Sequence, residues 1–145
     1  MAVRTQLFAG THAEALARAD DLDAGRQPAP APSLDLTDVT AVDLEVLGEI
    51  AARAVRFGTG DLEVAEVDLE HELLFGLPPF LCEVLTELRT PEDPDVPGEV
   101  AAAWAVSEEL SAAGQDMLPV VRSIVDFVSM AHEAGQDVYL WVSAG

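Results

Sequence analysis

The stretch from Leu118 to Val142 constrains the fold most. Leu118, Val121, Ile124, Val125, Phe127, Val128 and Ala131 recur at helical spacing, and their apolar stripe is wide enough to be packed on more than one side. Gly135 supplies the left-handed stop expected just past a helix end. Val138-Tyr139-Leu140-Trp141-Val142 then reads as a strand, because it is a run rich in β-branched and aromatic residues. A strand this apolar needs a sheet begun elsewhere in the chain. The expected fold class is therefore α+β, a single helix-rich domain with a small sheet that includes this C-terminal strand.

Upstream, Thr11-His12-Ala13-Glu14 has the spacing of a capping box and predicts a helix through about Leu22. Its Ala-rich body offers little apolar surface beyond Leu16. Gln27-Pro28-Ala29-Pro30-Ala31-Pro32 follows, and alternating prolines favour an extended linker. Residues 1–32 are thus expected to form an N-terminal arm, and residues 33–145 the compact domain. Leu34-Asp35-Leu36 alternates like a short strand, and Val42 to Phe57 carries a helical apolar face. Residues 61–75 fit a helix or a strand. Strand from about Glu66 is preferred because the alternation is cleaner and runs through Leu74-Phe75 into Gly76. Pro78-Pro79 opens a helix that buries Phe80, Leu81, Val84, Leu85 and Leu88. Thr90 to Gly98, with three prolines, reads as an exposed loop before a helix marked by Val100, Trp104, Ser107 and Leu110.

Charge narrows the function classes. The 145 residues carry 27 acids against 7 arginines, a net charge of −20, while half of them are hydrophobic. Such a surface repels phosphate backbones and anionic membranes, so neither nucleic acid nor membrane is an expected partner. A basic protein partner is. The absence of lysine and asparagine points to a GC-rich bacterial genome, with salt adaptation as the other source of acidity. No secretory signal or spanning segment is visible, so the cytoplasm is the expected address.

Chemistry-bearing motifs are few. Cys82 is the one cysteine and reads as a buried small hydrophobe. His132-Glu133 and His71-Glu72 both lack the second histidine of a zinc-protease helix. No metal site, cofactor or catalytic residue is expected, and enzyme activity is disfavoured. Glu66, Asp68, Glu70 and Glu72 fall at period two and would share one face of a strand. Four such carboxylates repel one another unless a cationic surface or salt screens them. Twelve acids and one base, Arg89, lie between Asp61 and Glu99.

Trp104-Ala105-Val106-Ser107-Glu108-Glu109, an apolar helix, Gly135 and Tyr139-Leu140-Trp141-Val142 together resemble a group of small uncharacterised bacterial proteins. Those proteins carry Trp-Ala-x-x-Glu-Glu and a Leu-Tyr-Leu-Trp-type terminal strand. The resemblance runs from Leu34 onward and implies a shared fold, with no established activity.

The functional expectation is a non-catalytic acidic binding protein, immunity-like or inhibitor-like, that docks on a basic protein through Glu66, Asp68, Glu70 and Glu72. The alternative is a small enzyme or ligand-binding protein with a carboxylate pocket at Trp104, Glu108 and Glu109.

Overall fold

The structure, a computed structural model, describes residues 4–28, 32–37, 39–55, 65–66, 74–89, 94–106 and 117–142. Among them five strands form one antiparallel sheet in the order β2-β1-β5-β4-β3. These are β1 (Arg4–Gly10), β2 (Ser33–Thr37), β3 (Ala65–Glu66), β4 (Leu74–Gly76) and β5 (Asp137–Val142). The helices are α1 (His12–Asp23), α2 (Ala41–Val55), α3 (Pro79–Glu87), α4 (Val96–Ala105) and α5 (Leu118–Glu133). The α+β class and the place of the terminal strand in the sheet are as the sequence implies. No helix among the described residues is long and apolar enough to cross a membrane.

The sheet is covered on both faces, and strand alternation sorts the side chains between them. Leu7, Ala9, Val138 and Leu140 enter the larger core with Leu44, Leu47, Leu81, Leu85, Trp104 and Ile124. Phe8, Tyr139, Trp141 and Leu74 point the other way and pack under Ala15 and Ala19 of α1. Register explains the match: Leu7 stands opposite both Leu34 and Leu140, and Phe8 stands opposite Tyr139.

The helices follow their local chemistry. Thr11 and Glu14 form the reciprocal capping box of α1. The helix then rests on the sheet through alanines, whose small size brings its backbone close. In α3, α4 and α5, Pro79, Pro97 and Pro119 occupy the first or second helical position, where a missing N–H costs no hydrogen bond. Gly135, at φ 70°, stops α5 in the left-handed conformation. Along α5, Val121, Ile124, Val128 and Ala131 have no measurable exposure.

Three sequence expectations need correction. Residues 1–32 are not an arm beside the domain: β1 lies between β2 and β5, bonded to both. Thr5 and Gln6 are buried polar residues that interrupt the apolar run, and a strand packed on both faces shows no clean alternation. The segment after Ala65 does not run as one strand into Phe75, because Glu66 and Phe75 face each other in neighbouring antiparallel strands. The loop expected up to Gly98 ends earlier, since Val96, Pro97 and Gly98 already belong to α4.

Candidate functional site

The acidic ladder proposed for docking is only partly described. Glu66 contributes backbone to β3, at one edge of the sheet. Asp68, Glu70 and Glu72 lie outside the described residues, as does His71. Elsewhere in the acid-rich segment, Glu83 and Glu87 on α3, Asp95 before α4 and Glu99 within it are all exposed.

Trp104 lies in the core. It has no exposure, and its indole N–H donates to the main-chain carbonyl of Asp43 at 2.9 Å. Its ring therefore offers no open platform. Glu108 and Glu109, the carboxylates paired with it in the sequence-based pocket, fall outside the described residues.

Where α1 meets the sheet, polar and aromatic groups interlock. Gln6 donates to Asp35 Oδ1 at 2.8 Å and accepts from Arg18 Nε at 2.7 Å. The Arg18 guanidinium sits 5.3 Å from the centre of the Phe8 ring, which in turn stacks on Tyr139 with centroids 6.0 Å apart. Burial lowers the Arg18 pKa, and Asp35 partly restores it. Burial also raises the Tyr139 phenol, with Asp137 adding to the effect. At the far end of α1, Trp141 Nε1 donates to Asp23 Oδ1 at 2.9 Å. The Arg18 and Asp23 contacts fix α1 on the sheet, and the Gln6–Asp35 and Phe8–Tyr139 contacts tie β1 to β2 and β5.

Two clefts remain. The smaller, about 120 Å³, is lined by Cys82, His132, Gln136 and Asp137 among others. A cysteine, a histidine and an aspartate in one cleft invite a nucleophilic reading. The Cys82 thiol argues against it: burial, then Asp137 and Glu83, push its pKa up from 9.0 to about 11. A reactive cysteine needs the opposite shift. Among the described residues no group of three His, Cys, Asp or Glu is placed to hold a metal ion.

The larger cleft, about 300 Å³, opens between Leu88-Arg89 after α3, the prolines at the start of α4, and the Val121-to-Asp126 segment of α5. Arg89 and Arg122 both line it. Sequence spacing gave no hint of this pair, because they are far apart in the chain and meet only through the packing of α3 on α5. Comparison with protein-family models, with curated proteins and with solved structures found no match.

Proposed function

We propose that the chain is a non-catalytic acidic binding protein that docks on a basic protein partner, as immunity proteins and inhibitors do. The observation that carries this reading is the concentration of charge: twelve acids against one base between Asp61 and Glu99. Glu83 and Glu87 on α3, Asp95 just before α4 and Glu99 within it are exposed and carry part of that charge. A surface of one sign speeds the approach of an oppositely charged partner and rejects wrong ones. Glu66, Asp68, Glu70 and Glu72 are the proposed centre of the contact.

The test begins with capture of a basic partner from the native host at low salt. Association rates are then measured against ionic strength for wild type and Glu70→Gln/Glu72→Gln. Docking through the ladder predicts slower association by the variant, with the difference shrinking as salt screens the field. Identical rates at every salt concentration would remove the ladder from the contact.

A further inference from the structure

We propose that the cleft between the end of α3, the start of α4 and α5 binds a small organic monocarboxylate with an apolar body. This goes beyond the docking reading and uses a different face of chemistry, the scarce cations of an acidic protein.

Arg122 is the first observation. Five arginines have described side chains. Arg26 pairs with Asp21 at 3.2 Å, Arg53 with Glu49 at 3.8 Å and Arg89 with Glu133 at 3.1 Å. Arg18 donates to Gln6. Arg122 alone has no hydrogen bond or ion pair among the described residues. That is notable in a chain with 27 acids. Asp126 stands one turn further along α5 and lines the same cleft. A base followed by an acid four residues on is the weaker orientation for a helical pair, so the Arg122 guanidinium is left available.

The cleft itself is the second observation. Its apolar lining includes Leu88, Pro94, Pro97 and Val125. Leu88 is 3 % exposed and Val125 4 %, so they are fixed in the core and do not need ordering when a ligand enters. Two prolines stiffen the opposite wall. A rigid apolar slot lowers the entropic cost of binding, and about 300 Å³ is the small end of the range for ligand clefts. The guanidinium fork of Arg122 matches a carboxylate in two parallel hydrogen bonds, while Arg89 at the rim is already paired with Glu133. Asp126 sets the selectivity. A carboxylate in the lining, on a chain of net charge −20, penalises a dianion more than a monoanion, so phosphate is disfavoured.

Hexanoate serves as the probe, titrated into the full chain at fixed ionic strength and followed by backbone amide shifts. Hexan-1-ol and inorganic phosphate are run as separate arms. Saturable shifts should be confined to residues 88–89, 94–98 and 121–126, with hexanoate tighter than either comparison ligand by about tenfold. Arg122→Met should weaken hexanoate by about tenfold, while Arg53→Met, on α2, leaves it unchanged. Arg122 is exposed, so the melting temperature of the variant should match wild type, and Arg122→Gln provides a second substitution of the same kind. The proposal is overturned by shifts mapping elsewhere, by hexan-1-ol or phosphate binding as tightly as hexanoate, or by undiminished binding to a folded Arg122 variant.

Discussion

Trp104 reaches across 61 positions of sequence to donate its indole N–H to the carbonyl of Asp43, 2.9 Å away. The bond ties α4 to the first turn of α2, where Asp43 Oδ2 accepts from the Thr40 N–H at 2.7 Å. Trp104→Phe keeps most of the ring volume but removes the indole donor from a helical carbonyl, at a cost of about 0.5–1.5 kcal/mol. Trp104→Ala adds a cavity and should cost about 3–5 kcal/mol. Urea unfolding checks both: the midpoint should fall in that order, with an unchanged slope. Equal midpoints for wild type and Trp104→Phe would show that the bond contributes nothing.

Removal of residues 1–30 should abolish the fold. β1 is bonded on both sides, to β2 and to β5, and its loss separates those strands and exposes both cores at once. Far-ultraviolet circular dichroism and amide protection of the truncated chain measure this directly. A truncated protein that still melts cooperatively would mean β2 and β5 can close the gap.

Ile124 has no exposure and lies in the middle of α5, within the larger core. Ile124→Asp places an unpaired charge there and should prevent folding. Ile124→Ala, which only removes volume, should cost about 2–5 kcal/mol and leave a folded, less stable protein. A soluble, cooperatively melting Ile124→Asp protein would contradict the burial.

Cys82 gives a pH-dependent outcome. Its folded pKa is raised from 9.0 to about 11, so between those values the folded chain holds a proton that the unfolded chain has released. Stability then falls as pH rises through that interval, by up to about 3 kcal/mol at its upper end. Cys82→Ala should be free of this loss, so the wild-type and variant stability curves should diverge above pH 9.0. Alkylation by iodoacetamide should be slow at neutral pH for the same reason. Fast labelling of the folded protein at pH 7 would show a thiolate where burial and Asp137 forbid one.

Legibility followed local chemistry. The α5 stripe, Gly135 and the β5 run were readable because helix period, stop and strand composition agree within one window. The Thr11–Glu14 box was readable because both partners lie within four residues. β1 was not: Thr5 and Gln6 owe their burial to partners far along the chain, Val39 for Thr5 and Asp35 for Gln6. Pro97 also misled, since the same residue ends a helix or opens one depending on its position. The Arg89–Arg122 cleft depends on how α3 packs against α5, and no sequence spacing encodes that. The ladder's charge could be read from the sequence, and of its four residues only the backbone of Glu66 is described, in β3.

The pairing of β1 with β5 also sets when this protein can become itself during synthesis. Thr5 waits for Val142 and Gly10 for Asp137, so the sheet's centre cannot assemble until the last strand has left the ribosome. Until then β1 presents a bare edge and two uncovered apolar faces. Contacts this distant in sequence form slowly, and unfinished sheets are prone to aggregate. A translational stall before Asp137 therefore leaves the β1–β2 and β3–β4 pairs without the strand that joins them, a natural substrate for chaperones and proteases.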